Sequence, residues 1–421
     1  MTSWTNSTIW LDPKRLHQNL LVNHDQRYVF INNPKCASST VKRELWDLER
    51  AKGRRKGEPT PTSIHGNGFL KGAATEGTED YFWFAVVRNP YTRILSAYLD
   101  KLGSGFRAPG AAFRFQAGLP QRAKVTFETF VRSVSKSLPY EDDRHWAPQT
   151  DNLLSGAFRI DCLGSVENMP GLLRRLGDEI GIVRPDPSRS RHATGAVNKV
   201  AEYFTPELRD LVVEKYSEDF AFFGYSDDPA KVADPPASDG ARLEEDAEFA
   251  RLAQAYIQPG AGHQGLGLLH DCSDHPRYGF FCRAALADLG TGPGEGGAEP
   301  IEAEQNPLVV RGWLEKALRE RQLEEVRRCA AVLIEKMPQS KIGWVADAAL
   351  RKLARVPDKE NAALNAALSM TWKPGRPEIR RMVRRYYLSF WTQKGAIRRL
   401  LVGAYLRIVE RRTGRGRVCK D

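Results

Sequence analysis

Cysteine is scarce in this 421-residue chain: Cys36, Cys162, Cys272, Cys282, Cys329 and Cys419 are the full set, and no spacing repeats among them. That excludes a disulfide-stapled secreted scaffold and suits reduced thiols. Long apolar runs are missing too, and no stretch approaches the roughly 18 apolar residues a membrane span needs. The opening residues, MTSWTNSTIWLDPKR, lack a basic segment followed by an apolar run, so no signal peptide is read there. Most of the chain also lacks excess charge. The net charge is +11, yet residues 375–421 alone carry fourteen Lys and Arg against three Asp and Glu. The remainder is close to neutral, which argues against nucleic acid as the partner. These absences lead to the expectation of a cytoplasmic protein.

What is present suits a globular molecule of two or three domains, with 41% hydrophobic and 27% charged residues. From Tyr28 to about Tyr225, short apolar runs alternate with helical periodicity, the mark of βα units around a parallel sheet. Strands are expected at Tyr28–Ile31, Tyr81–Val87 and Phe158–Leu163. Helical faces are formed by Val41, Leu45 and Leu48, then by Ile94, Leu95, Tyr98, Leu99 and Leu102. Further stripes are Phe127, Phe130, Val131 and Val134, preceded by Thr126, and Leu172, Leu173, Leu176 and Ile180. Thr205-Pro206-Glu207 has the hydroxyl, proline and acid of a helix start. Residues 228–304 read as a linker and loop-rich segment, partly disordered, rich in Pro, Gly, Asp and Glu. Residues 305–421 read as helical, with a faint likeness to paired helical repeats before the basic tail.

The sharpest local feature is YVFINNPKCASSTVKREL. A buried strand runs into a loop carrying Lys35, and Ser38, Ser39 and Thr40 follow where a helix begins. Backbone N–H groups at a helix start favour an anion, and the hydroxyls and Lys35 add donors and charge. The same hydroxyls would equally serve as helix caps. The loop is not GxxxxGK followed by Ser or Thr, because the glycines are missing and Lys35 lies several residues before the hydroxyls. A second feature is VVRNPYTRILSAYLDK, in which Arg88 closes a strand and Ser96 lies about two helical turns on. A forked guanidinium with a hydroxyl suits a phosphate monoester.

Together these stretches resemble the PAPS-dependent sulfotransferases, which read Pro-Lys-x-x-x-Thr/Ser-Thr/Ser after the first strand and Arg-Asp/Asn-Pro followed by Ser after a later one. HWAPQTDNLL (145–154), CLGSVENMPGLLRRL (162–176) and YFTPELRDLVVEKYSEDFAFFGY (203–225) are similar to the family-2 branch of Golgi and bacterial carbohydrate sulfotransferases. The resemblance covers roughly residues 25–225. It implies an α/β fold with a P-loop-like central parallel sheet flanked by helices, here followed by a mostly α-helical C-terminal domain. It divides the chain into a sulfotransferase domain (1–227), the loop-rich segment (228–304) and the helical domain (305–421). It assigns the 5′-phosphosulfate of PAPS to Lys35, Cys36, Ala37, Ser38, Ser39 and Thr40, and the 3′-phosphate to Arg88 and Ser96. Cys36 and Ala37 stand where other branches have glycine.

Sulfuryl transfer by in-line displacement needs a cation for the leaving phosphate, given to Lys35, and a base for the acceptor hydroxyl. His65 and His145 compete for the base, with Glu44, Glu58 and Glu76 behind them. The acceptor expected is a carbohydrate, a glycolipid or another hydroxyl compound. No metal is expected, and His263, His270, Cys272, His275 and Cys282 fit no zinc spacing. The basic tail suits either docking on the helical domain or peripheral contact with anionic lipid, hence membrane association without a transmembrane segment. The alternatives are an ATP-dependent kinase and a catalytically silent binding module.

Overall fold

The computed structural model describes residues 8–53, 57, 77–103, 110, 113–114, 117, 119, 123–137, 139–182, 194–258, 263–289, 304, 306–320 and 322–336. Its centre is a four-stranded sheet in the order β1 (Leu20–Asn23), β2 (Tyr28–Ile31), β3 (Phe82–Val87) and β4 (Cys162–Ser165). β1 pairs with β2 as an antiparallel hairpin, and β2, β3 and β4 run parallel. Strands β2 and β3 fall where the apolar runs place them. β4 lies a few residues past the expected position, and β1, only four residues long, was not foreseen. This is the expected α/β class, with an antiparallel edge added to a parallel sheet.

Alternation along the strands explains why both faces are apolar. Tyr28, Phe30, Phe84, Val86 and Cys162 share one core with Val41, Leu45 and Trp46 of α1 (Ser38–Ala51) and Leu172, Leu173 and Leu176 of α4 (Met169–Ile180). Val29, Ile31, Trp83, Ala85, Val87 and Leu163 face the other core. There they meet α2 (Pro90–Lys101), α3 (Phe127–Val134), α5 (Pro206–Lys215) and α6 (Ser217–Phe223). β4 and α4 approach so closely that a Cβ at Gly164 would lie 2.6 Å from Leu172 Cδ1, which accounts for the glycine. The helix starts follow their capping residues. Thr126 Oγ1 accepts the Thr129 N–H at 3.1 Å, and Thr205 Oγ1 accepts that of Leu208 at 3.3 Å.

Past residue 227 the chain keeps contributing to this core as far as Leu289. Residues 240–243 run beside β4, where the Leu163 N–H donates to Ala241 at 2.9 Å and Ile160 bridges Leu243. Three helices follow, α7 (Ala247–Ile257), α8 (His263–Asp271) and α9 (Gly279–Leu289). Phe249, Leu252, Tyr256, Leu269 and Phe281 join the cluster that holds Leu16, Trp83 and Phe130. The segment read as loop-rich is therefore helical over most of residues 247–289. Its helices are short, separated by Gly and Pro, and built on small residues, which blurred their periodicity. One compact unit comprises residues 1–289 and a second residues 290–421. The described part of the second is a pair of helices, α10 (Pro307–Glu320) and α11 (Leu323–Lys336), packed on each other. The continuation of the repeat-like pattern and the basic tail lie outside the described residues. Among the described residues no helix is long and apolar enough to cross a membrane.

Trp146 is a keystone of the larger core. It is buried, meets Phe130 and Phe113 edge-on at 5.6 and 6.0 Å, and its carbonyl accepts the Tyr216 hydroxyl at 2.6 Å. Trp146→Ala is expected to lower stability by about 3–5 kcal/mol through the cavity it leaves. A shift of the urea midpoint at constant slope would measure this, and an unshifted midpoint would contradict the packing role.

Candidate anion-binding site

β2 ends at Ile31, and the chain turns through Asn33–Ala37 before α1 begins at Ser38. Lys35 (φ 69°) and Ala37 (φ 50°) both lie in the left-handed region, which is uncommon for residues with a Cβ. Such backbone strain is typical of ligand clamps, and Ala37 is one of the two positions at which the resemblance expects glycine. The N-cap of α1 is Ala37, which makes no side-chain cap to the first turn. The choice between anion site and capping hydroxyls thus turns away from an N-cap role, since Ser38, Ser39 and Thr40 lie inside the helix. Ser38 and Ser39 are half-buried and Thr40 is buried.

Arg88 emerges from the end of β3 beside this loop. Its Nη1 donates to the Lys35 carbonyl at 3.2 Å and its Nε to Thr92 Oγ1 at 2.9 Å. The two sequence motifs are therefore neighbours in space. Ser96, on α2, is buried and accepts a hydrogen bond from Thr194 Oγ1 at 3.1 Å. The side chain of Lys35 reaches Asp100, also on α2, with Nζ 3.0 Å from Oδ2. Lys101 shares that oxygen at 2.8 Å. Burial pushes the Lys35 pKa down to about 8 even though Asp100 pulls it up. Burial acts to raise Asp100, but hydrogen bonds and charge from Lys101 and Lys35 outweigh it and hold the carboxyl well below its usual range.

The three further stretches singled out in the sequence converge on the same place. Gln149, from HWAPQ, bonds the backbone of Arg88, Glu167 Oε1 accepts the Asn89 N–H at 2.9 Å, and Glu167 Oε2 accepts the Tyr225 hydroxyl at 2.9 Å. Burial raises the Glu167 pKa against those hydrogen bonds. Asp219 in turn accepts the N–H groups of Gln149 and Thr150. Cys36 is fully buried, and burial pushes its thiol up to about 12, so it is a packing group rather than a nucleophile.

His145 is half-buried, and its Nδ1 lies 2.5 Å from Asp143 Oδ1. The Asp143 carboxylate selects the tautomer with its proton on Nδ1 and leaves the Nε2 lone pair as an acceptor. Burial holds the imidazole below its ordinary pKa against the pull of Asp143, and the charge of Lys101 acts in the same direction as burial. His145 thus shares an electrostatic neighbourhood with the Lys101–Asp100–Lys35 group. The rival His65 lies outside the described residues, as do Glu58 and Glu76, whereas Glu44 is buried on α1. Among the described residues no group of three or more His, Cys, Asp and Glu is placed to hold a metal. Asp100, Asp143, Gln149, Glu167 and Asp219 were not singled out from sequence. An acid or amide in a helix or loop carries no spacing signature, and only the fold brings these residues to one place.

A family model described as the sulfotransferase family matches residues 18–226. Carbohydrate sulfotransferase 14 of Danio rerio is 29% identical over 238 residues, covering 51% of this chain and 64% of that protein. The Homo sapiens protein of the same name is 26% identical over 234 residues, covering 50% of this chain and 61% of the relative. The Mus musculus protein is 29% identical over 172 residues, covering 37% and 45%. The chain thus spans less than two thirds of the length of each of these relatives. No solved structure matches significantly.

Proposed function

This chain belongs, through residues 18–226, to the sulfotransferase family, and from that premise we propose that it moves the sulfuryl group of PAPS to a hydroxyl of a carbohydrate or glycolipid acceptor. The observation that carries the reading is the contact between the two phosphate motifs. Arg88 donates to the Lys35 carbonyl at 3.2 Å, so a cationic loop and a strand-end guanidinium flank one place. The donor set fits a doubly phosphorylated nucleotide: two cations, three hydroxyls on the first turn of α1, and a loop with two left-handed residues, the kind of backbone turn from which anion sites are built. PAPS, when bound, supplies an activated sulfuryl group on a phosphate that departs with added negative charge.

Lys35 supplies the positive charge that stabilises that departure, once its ammonium turns from Asp100. Arg88 and Ser96 recognise the phosphate monoester at the 3′ position. His145 takes the acceptor proton at Nε2 while Asp143 keeps the ring oriented. Burial leaves the ring neutral near pH 7, as a base must be. The acceptor class comes from carbohydrate sulfotransferase 14, whose name specifies carbohydrate.

Incubation with sulfur-labelled PAPS and panels of glycans, glycolipids and small alcohols is expected to transfer label to a sugar hydroxyl, with the mass gain of one sulfuryl group. Absence of transfer to every acceptor, together with no binding of adenosine 3′,5′-bisphosphate, would remove the assignment.

A further inference from the structure

Gln149 is fully buried, and its carboxamide makes four hydrogen bonds to two separate segments of the site. The oxygen Oε1 accepts from Asn33 Nδ2 at 3.1 Å and from Cys36 Sγ at 3.1 Å, both in the lysine loop. The same oxygen accepts the Arg88 N–H at 2.9 Å, and Nε2 donates to the Arg88 carbonyl at 2.8 Å. Arg88 lies one residue past the end of β3, where no strand partner is left for its peptide groups. The carboxamide takes the place of that partner by bonding both the N–H and the C=O of one residue, as a neighbouring strand would. It thereby extends the sheet by one rung and joins the lysine loop to the arginine arm.

Gln149 is itself held from behind. Its backbone N–H donates to both oxygens of Asp219, at 2.8 and 2.9 Å, and the Thr150 N–H adds a third bond at 3.0 Å. Asp219 is fully buried on α6, and these three bonds from two N–H groups at the start of the short helix Gln149–Asn152 are its compensation. The preceding residues are pinned by the buried Arg93, whose guanidinium donates to the carbonyls of Ala147 at 2.7 Å, Arg144 at 3.1 Å and Pro34 at 3.3 Å. A side chain so completely committed inside the protein touches no ligand. Its effect on binding passes through Cys36 and Arg88.

We propose that Gln149 is a positioning residue that locks the 5′-phosphosulfate loop to the 3′-phosphate arm, so that the two ends of the nucleotide are gripped as one rigid unit. This rests on the proposed use of PAPS. Its consequence is thermodynamic coupling: filling one phosphate subsite pre-orders the other, and the doubly phosphorylated nucleotide gains more than its two halves separately.

The test compares wild type with Gln149→Met, which keeps the length and loses every bond, and Gln149→Asn, which keeps a carboxamide too short to reach Arg88. Calorimetric affinities are measured for adenosine 3′,5′-bisphosphate, for AMP and for adenosine 3′-monophosphate. The bisphosphate is expected to lose about ten- to hundredfold in both variants, while each monophosphate loses only a few-fold. An equal loss for all three nucleotides would overturn the coupling role and leave Gln149 as a packing residue. Amide hydrogen exchange of the ligand-free protein provides an independent arm. Residues 33–36 and 88–89 should lose protection together in the variants, and unchanged protection in either segment would overturn the proposal. If wild type bound none of the nucleotides, the reading of function would fail, and the exchange arm would still decide whether Gln149 ties the two segments. Gln149→Asn, the milder change, carries the test if Gln149→Met does not fold.

Discussion

Lys35→Ala is expected to lower kcat for sulfate transfer by about 10²–10³-fold, the usual loss when one preorganised donor to a developing negative charge is removed. The loop would remain in place without the side chain, because Arg88 holds the Lys35 carbonyl and Gln149 holds the Asn33 and Cys36 side chains. Asp100 would keep Lys101 as its partner. Thermal stability should therefore change little while turnover falls, and that separation identifies a charge acting on the reaction. Lys35→Arg should recover part of the rate, since it restores the charge with altered reach. A Lys35→Ala enzyme within threefold of wild type would show that the leaving phosphate is neutralised elsewhere.

His145→Ala is expected to cost about 10²–10⁴-fold in kcat, the range for losing a positioned general base. Its pH dependence is the more telling measurement. The base must be unprotonated, so activity is lost as pH falls through a value below the ordinary imidazole pKa, where burial holds this ring. Lys35 must be protonated, so activity is lost again as pH rises through about 8. The profile of kcat/KM, which reports the free enzyme, should be a bell with those two limbs. In His145→Ala the acid limb should vanish and the basic limb remain. An acid limb that survives the substitution would transfer the role to another group, and His65→Ala would then be the variant to lose it.

The elements around the site were legible because burial on both faces of the sheet leaves near-continuous apolar runs. Tyr28–Ile31 is bounded in the structure as it reads in sequence, and the Thr126 and Thr205 helix starts follow from residue chemistry alone. β1 escaped notice because Leu20–Asn23 holds only three consecutive apolar residues, and its existence depends on pairing with β2. Lys35 and Arg88 were legible through their motifs. Gln149 and Asp219 lay inside quoted motifs and passed without a role, because a buried amide and its carboxylate support act only through contacts between segments about 70 residues apart. Asp143 stands two residues from His145, close enough that an orienting carboxylate could have been suspected. The turn that brings its oxygen to Nδ1 is visible only in the fold.

The helices that follow residue 240 have a consequence for how this protein could be dissected or grafted. A fragment trimmed at the edge of the family match would strip Leu163 and Ile160 of their backbone partners and leave a greasy flank where Phe249, Leu252 and Phe281 had been. The three-helix extension is thus masonry rather than ornament. The transferable module ends near residue 289, and any chimaera spliced at 226 would inherit an open seam prone to sticking to its neighbours.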